Sequence, residues 1–187
     1  MLPIRRLLDS ELHKYEEHLL ALDDTSRNLR FAGVIRDEGI VRFIQTMREN
    51  IHQHKLFVIE DADLNIIGVG HISLVGDQME LAFSVANEHR GKGYGTELMA
   101  RCLEWCRNRG ITKGYMVCLH HNQAVKKMAA KNGMKMHSEY GETTADIELP
   151  GPTAMTIMNE IYASNLAALD HYTKIANLVT YKLTFAA

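Results

Sequence analysis

One segment constrains the fold more than any other part of the chain: residues 85–96 read Val-Ala-Asn-Glu-His-Arg-Gly-Lys-Gly-Tyr-Gly-Thr. A β-rich run ends at Val85, and the stretch 95–109 that follows carries apolar residues at helical spacing. The chain must therefore pass from a strand into a helix across glycines, which let the backbone approach an anion closely. The start of that helix presents free N–H groups and a positive dipole end, and Arg90 and Lys92 add positive charge. These features predict a turn that binds a pyrophosphate group.

The turn matches neither of two common nucleotide-binding patterns. No Gly-Lys-Ser/Thr triplet closes it. The spacing of Gly91, Gly93 and Gly95 also puts no glycine at the third glycine position of the dinucleotide fingerprint. The expected phosphate ligand is therefore of another kind.

The hydrophobic pattern along the rest of the chain predicts an α/β fold in one domain. The predicted order is strand 4–8, a helix from residue 12, a polar turn 23–28, helix 37–53, strands 56–60, 66–74 and 79–85, helix 95–109, strand 114–119, helix 122–131 and strand 134–140. Loops of hairpin length join the three central strands, which predicts an antiparallel meander. The last strand, helix and strand predict a right-handed crossover with parallel pairing nearby. The expected sheet is mixed, largely antiparallel and twisted, with flanking helices.

A Pro-Gly-Pro cluster at 150–152 marks the expected end of the main fold, which divides the chain into a domain 1–152 and an extension 153–187. Apolar residues recur in the extension at coiled-coil-like spacing, interrupted by Asn165: Met155, Met158, Tyr162, Leu169, Tyr172, Ala176 and Val179. We predict an extra C-terminal helix from Thr153 to about His171, whereas 177–185 could equally alternate as a strand. The extension could dock on its own domain, form a homodimer contact or act as a lid over a substrate cleft.

The charge balance excludes several partners. The chain has 21 Lys and Arg against 23 Asp and Glu, a net charge of −2, so no bulk positive field attracts nucleic acid or an anionic membrane. The longest stretch without these residues, 64–76, is shorter than the ~18 apolar residues of a membrane helix, and the first ten residues lack a signal peptide's apolar segment. Three cysteines are too sparse for a disulfide framework, so we expect a cytoplasmic protein. The histidine pairs 52/54 and 120/121 complete no ligand set, and no metal is expected.

Two motifs resemble the GNAT superfamily of acetyl-CoA-dependent N-acetyltransferases. Arg90, Gly93 and Gly95 reproduce its Arg/Gln-x-x-Gly-x-Gly/Ala signature after a strand. Asn122 lies eleven residues before Gly133, which resembles the family's closing segment of Asn, helix and Gly-Phe, with Met in place of Phe. The resemblance covers roughly residues 4–149. The segment 25–33, which contains Arg30-Phe31, also resembles a subgroup with protein-lysine acetyltransferases.

The resemblance implies acetyl-CoA as co-substrate and assigns residues to it. It places the pyrophosphate on the backbone N–H groups of the turn, namely Gly91, Lys92, Gly93, Tyr94, Gly95 and Thr96, beside Arg90. It pairs the pantetheine arm with the strand backbone around Phe83 to Val85 and anchors the arm at Asn122. A splayed pair of central strands, one ending at Val85 and one at Leu119, would leave backbone groups free for this pairing.

The resemblance also implies direct acetyl transfer to a primary amine in a ternary complex. Glu80, five residues before Val85, stands where many members carry a catalytic glutamate, and a base is useful because an alkyl amine with a pKa of ~10.4 is mostly protonated at pH 7. The family's usual tyrosine acid is replaced by Ala129. Tyr94, Tyr115 or Tyr140 could serve as the general acid instead, or the CoA thiolate could leave without one. The acceptor stays open between a small-molecule amine and a protein amine, and the alternative is a non-catalytic acyl-CoA-binding module.

Overall fold

The computed structural model describes residues 2–139 and 141–185, which form one mixed sheet with helices on both faces. The strands are β1 (Arg5–Arg6), β2 (His54–Glu60), β3 (Ile66–Val75), β4 (Gln78–Val85), β5 (Lys113–Leu119), β6 (Lys135–Glu139) and β7 (Glu142–Glu148). The helices are α1 (Leu12–Ala21), α2 (Asp24–Phe31), α3 (Asp37–Glu49), α4 (Tyr94–Arg107), α5 (Gln123–Lys131) and α6 (Ala154–Phe185). The sheet order is β1-β2-β3-β4-β5-β7-β6, and every neighbouring pair is antiparallel except β4 and β5. This arrangement confirms the predicted largely antiparallel α/β fold.

The parallel pair β4–β5 is joined for only part of its length. Residues 78–80 of β4 pair with residues 113–115 of β5, and no pairing continues beyond Glu80 and Tyr115. Both strands run on, β4 to Val85 and β5 to Leu119, so the middle of the sheet opens into a V. The expected splayed central strands are confirmed.

Two apolar clusters cover the two faces of the sheet. Buried residues of α4 and α5 pack on one face around Met79, Leu81 and Met116. On the other face, α1 and α3 pack against alternate residues of β2 and β3, such as Val58 and Val69. Strand residues alternate between the faces, and Ser84 and His71 therefore point toward the side of α1 to α3.

Two elements differ from the sequence prediction. The segment 23–28, predicted as a polar turn, begins the helix α2, because the Asp23 side chain accepts a hydrogen bond from the Ser26 N–H at 2.7 Å and caps the helix. Strand β7 lies between β5 and β6, so the crossover expected to bring β5 beside β6 does not pair those two strands. The sequence of β7 is mostly polar, and its buried residues are Thr143 and Ala145, so no apolar alternation marks the strand. Tyr140, the predicted end of β6, lies outside the described residues.

The C-terminal extension forms one continuous helix, α6. It continues past His171 through the stretch 177–185, for which a strand was the alternative, because no glycine or proline interrupts it. One face docks on the domain: Arg101 donates to Ser164 Oγ at 2.7 Å, and the Glu60 carboxylate lies 2.8 Å from His171 Nδ1. Within the described ranges, no helix is long and apolar enough to cross a membrane.

Candidate active site

A cleft of about 330 Å³ opens where β4 and β5 separate. Its walls are the free side of β4, the turn before α4, the start of α5 and the inner side of α2. Most of the residues predicted to bind a cofactor line this one cleft: Phe83, Val85, Arg90, Gly91, Gly93, Tyr94, Gly95, Thr96 and Asn122. Lys92 is exposed outside the lining, and Glu80 lies deeper in the V.

The turn at the mouth of the cleft is held open by two glycines. Gly91 and Gly93 have φ values of 75° and 87°, in the left-handed region that other residues adopt at a cost. Gly93 is the N-cap of α4, and its carbonyl accepts hydrogen bonds from Thr96 and Glu97 at 3.0 and 3.3 Å. The N–H groups of Tyr94 and Gly95, which precede these bonds in the first helical turn, have no intrahelical carbonyl to bond. They form a set of backbone donors at the positive end of the α4 dipole, which suits an anion.

Arg90 connects this turn to α2. Its guanidinium donates to Ser26 Oγ at 2.5 Å and to the Val85 carbonyl at 3.4 Å. Its side chain is therefore engaged with the protein, and its charge lies beside the turn rather than within it. The contact fixes α2 across the open end of the sheet.

The free side of β4 and Asn122 face each other across the cleft. Beyond Glu80, β4 pairs with β3 on one side only, so the backbone groups of its last residues that point toward β5 have no sheet partner. Asn122 caps α5, and its Oδ1 accepts from the Val125 N–H at 3.2 Å. Its Nδ2 donates to no protein atom in the described part of the chain. An extended amide ligand would find donors and acceptors on both walls.

Glu80 stands at the base of the V. It pairs directly with Tyr115 across the parallel strands and with Ser73 across the antiparallel ones. Burial and, after it, the charge and the polar side chain of the neighbouring Glu80 raise the pKa of Tyr115. A half-buried carboxylate is thus placed at the point where the two strands part.

The position of the missing family tyrosine is closed to the cleft. Ala129 is 1% exposed and belongs to the apolar cluster under α4, while its neighbour Met128 lines the cleft. Of the tyrosines considered as substitutes, Tyr94 lines the cleft and Tyr115 contacts Glu80. Tyr140 lies outside the described residues.

Sequence reasoning missed a polar chain next to the cleft. Arg30 of α2 lines the cleft and donates through Nη2 to Tyr15 Oη at 3.0 Å and to His71 Nδ1 at 3.1 Å. His71 Nε2 in turn lies 3.1 Å from His54 Nδ1. Burial and the charge of Arg30 hold the pKa of His71 well below its usual range. In the sequence, Arg30-Phe31 was the only signal of this polar chain, because His71 lies within an apolar strand run.

The comparisons with known proteins agree with this geometry. The model of the acetyltransferase (GNAT) family matches residues 11–134. The acetyltransferase PA5475 of Pseudomonas aeruginosa is 24% identical over 135 residues, 70% of this chain and 73% of that protein.

Two solved structures are also similar. The GNAT domain of S. lividans PAT superposes with a TM-score of 0.66 at 18% identity, covering 78% of this chain and 89% of that chain. A spermidine N-acetyltransferase from Vibrio cholerae, solved with CoA and spermine, has a TM-score of 0.61 at 19% identity, covering 78% and 93%. At these identities the structures establish the fold. The family match across two thirds of the chain, together with a glycine turn at the mouth of a splayed sheet, makes this protein a member of the GNAT acetyltransferase family.

Proposed function

We propose that the protein transfers the acetyl group of acetyl-CoA to a primary amine. The observation that carries this proposal is the cleft itself: an opened parallel pair of strands ends at a turn of free backbone N–H groups. This combination suits a ligand with a pyrophosphate at one end and an extended amide arm at the other. The Vibrio cholerae enzyme with the same fold was solved with CoA and a polyamine, which supports the reaction class.

The cleft residues would hold acetyl-CoA in two ways. The N–H groups of residues 91–95 would bind the pyrophosphate beside Thr96, whose own N–H donates to Gly93, and the free edge of β4 at Phe83 to Val85 would pair with the pantetheine arm. Asn122 Nδ2, free of protein partners in the described ranges, would donate to a carbonyl of that arm. Arg90 would act by fixing α2 over the cleft.

Glu80 is the proposed general base. It takes a proton from the acceptor ammonium, and the neutral amine nitrogen forms a bond to the thioester carbon. The C–S bond then breaks to release the CoA thiolate, and the nitrogen gives its second proton to water. A backbone N–H of β4 meets the oxyanion of the tetrahedral intermediate. Both substrates are bound together, so the transfer is direct and no acyl-enzyme forms.

The leaving thiolate needs no fixed enzyme acid in this proposal. Ala129 has no proton to give and is buried away from the cleft. A thiol with a pKa near ~8.5 leaves readily as the thiolate. The same missing acid favours the alternative function, a non-catalytic module that binds acyl-CoA.

Release of free CoA thiol from acetyl-CoA in the presence of an amine panel separates the two functions. The panel should contain polyamines, amino acids, amino sugars and lysine peptides. Amine-dependent thiol release with a matching acetylated product supports the enzyme. Tight acetyl-CoA binding without release by any amine supports the binding module.

We also propose that residues 153–187 form a dimerisation element beside the domain 1–152. The face of α6 that contacts the domain holds most of its charged residues, Glu160, Asp170 and Lys174 among them. The opposite face carries a heptad pattern at seven apolar positions that are 51–75% exposed: Met155, Met158, Tyr162, Leu169, Tyr172, Val179 and Leu183. Asn165 and Ala176 complete that seam. A free face would normally be charged, so this one suits a partner helix.

A second copy of the chain is the partner that the pattern favours. A 3.5-residue period is the pattern of two helices that coil around each other, and the seam runs over about 40 Å of helix. Seven side chains that each expose on the order of 100 Å² approach the ~800 Å² per partner of a standard interface. The near absence of Lys and Arg on this face disfavours an anionic membrane surface. The buried free thiols Cys102, Cys106 and Cys118 support a cytoplasmic location.

A further inference from the structure

We propose that Arg30 selects acceptors that carry a carboxylate beside the reacting amine, so that the substrate class is a small amino acid rather than a polyamine. This inference rests on the proposed acetyl transfer and names the acceptor for it. It follows from two properties of Arg30: the side chain is a cation in the cleft wall without a counter-charge, and it lies between the glycine turn and Glu80.

The Arg30 guanidinium is surrounded by neutral groups. Its hydrogen-bond partners are Tyr15 Oη and His71 Nδ1, and its carbon lies 4.9 Å from the centre of the Phe31 ring and 5.9 Å from that of Phe43. No carboxylate in the described part of the chain lies within 4.0 Å of it, and its Nε is buried without a hydrogen-bond partner. Shielded cations in proteins are normally paired, because removing a charge from water is costly. The missing partner is therefore expected to be a ligand.

The imidazoles of His71 and His54 cannot neutralise the charge of Arg30, but they fix the orientation of its guanidinium. His71 Nδ1 accepts from Arg30, so the ring carries its proton on Nε2 and donates it to His54 Nδ1 at 3.1 Å. A protonated His71 would lose this acceptor and face a second cation. The chain from His54 to Arg30 therefore holds one full positive charge at the cleft wall.

Arg30 lies on the acceptor side of the cleft rather than at its phosphate end. Ser26, four residues earlier in α2, contacts Arg90 beside the glycine turn, which places Arg30 about 6 Å further along the helix. His71, its partner, is paired with Ala82 of β4, three residues before the end of the strand at Val85. Ala82 and Glu80 share the face toward α1 to α3, one alternation apart. Arg30 thus stands between the phosphate turn and the proposed base.

A positive charge at this place discriminates between acceptors. It repels a second ammonium group, which disfavours polyamines, and it stabilises a carboxylate by charge-assisted hydrogen bonds. The same field favours the neutral form of the attacking amine over the ammonium. Arg30 is only partly exposed and lines the cleft, so its guanidinium is reached from within the cleft, which favours a small acceptor over a folded protein surface.

The test compares each amino acid with its amide, which keeps the amine and removes the carboxylate charge. The wild-type protein should acetylate the acids with a kcat/KM about 10- to 100-fold above that for the amides and for spermidine. Arg30→Gln should bring this ratio close to one through the acceptor KM, with the KM for acetyl-CoA unchanged, and Arg30→Lys should keep part of it. Arg42→Gln removes the same charge from the exposed side of α3 and should leave the ratio unchanged.

Three results would overturn the inference: equal use of acids and amides, a preference for polyamines, or an unchanged ratio in Arg30→Gln. A lower melting temperature together with an unchanged ratio would assign Arg30 a structural role through its hydrogen bonds to Tyr15 and His71 instead. If no amine is acetylated at all, the proposed function fails, and calorimetry with the CoA complex decides the role of Arg30 separately. Binding of the acids but not the amides, lost in Arg30→Gln, would support it, and no binding of the acids would overturn it.

Discussion

Glu80 and Tyr115 are the last residues that β4 and β5 pair before the strands separate, and the Glu80 side chain helps to raise the pKa of the Tyr115 phenol. The pair closes the narrow end of the V, opposite the glycine turn at its mouth. One geometric feature, the end of a short parallel pairing, therefore places the proposed base at a fixed depth below the anion-binding turn.

Glu80→Gln should lower the turnover number by ~10²-fold or more while leaving acetyl-CoA affinity intact, because the amide cannot take the proton of the ammonium. The deficit should shrink as the pH rises and the amine deprotonates in solution. Steady-state rates across pH, with calorimetry for acetyl-CoA, measure both effects. Asp77→Asn, an exposed residue just before β4, is the control. A wild-type rate at neutral pH would place the base elsewhere.

Tyr115→Phe should reduce turnover less than tenfold. Burial and the neighbouring Glu80 carboxylate raise the pKa of the Tyr115 phenol, so it gives up a proton less readily and is a poor acid for the leaving thiolate. Tyr94 lies on the cleft wall, and Tyr94→Phe should also reduce turnover less than tenfold. A hundredfold loss in either variant, with unchanged acetyl-CoA affinity, would identify that tyrosine as the general acid.

Gly93→Asp should abolish acetyl-CoA binding, because it adds a negative charge and a side chain where the backbone must meet an anion. Gly93 also has a φ of 87°, so part of the effect is backbone strain. Gly110→Asp supplies the control, since Gly110 has a φ of 73° at the other end of the same helix and open space around it. Retained affinity in a folded Gly93→Asp protein would remove the cofactor assignment.

The stability of the fold should fall as the pH drops from 6.5 to about 4. Burial lowers the pKa of His18 to about 4, against the opposing hydrogen bond to the Ile66 carbonyl and with the help of the Arg30 charge. The folded state keeps this imidazole neutral, whereas the unfolded chain binds a proton below pH 6.5, so His18 favours folding above that pH and favours unfolding increasingly below it.

Urea unfolding at several pH values measures the slope. His18→Gln should make the loss between pH 6.5 and 4 shallower, at the cost of the hydrogen bond that His18 forms with Ser84 Oγ at 2.9 Å. His13→Gln, exposed on the same helix, should keep the wild-type slope. Equal slopes in all three proteins would show that His18 titrates in the folded state as it does in the unfolded chain.

The protein should be a dimer in solution through α6. Replacing Leu169 and Tyr172 together by Lys should give a monomer at micromolar concentration, because each dimer would bury four charges in its apolar seam. Asn177→Lys places a charge on the same helix away from the seam and should remain dimeric. Sedimentation equilibrium distinguishes these states, and a monomeric wild-type protein would contradict the prediction.

The sequence alone determined the parts of this protein that depend on local pattern. The glycine turn between a strand and a helix follows from residues adjacent in the chain, as do the three-stranded meander and most helices, and the family motifs lie within those segments. The resemblance to the family also named Glu80 as the candidate base, five residues before Val85 on the strand that leads to the turn.

Only the tertiary structure decided the relationships between segments far apart in the chain. Tyr115 meets Glu80 through a parallel pairing across 35 residues, and Arg30 meets His71 across 41 residues, so no local pattern signals either contact. The insertion of β7 between β5 and β6 escaped prediction because its buried residues are Thr143 and Ala145, whose hydrophobicity is too weak to mark a face. Periodicity indicates which side of an element is buried, whereas the partner that covers it depends on the free energy of packing the whole chain.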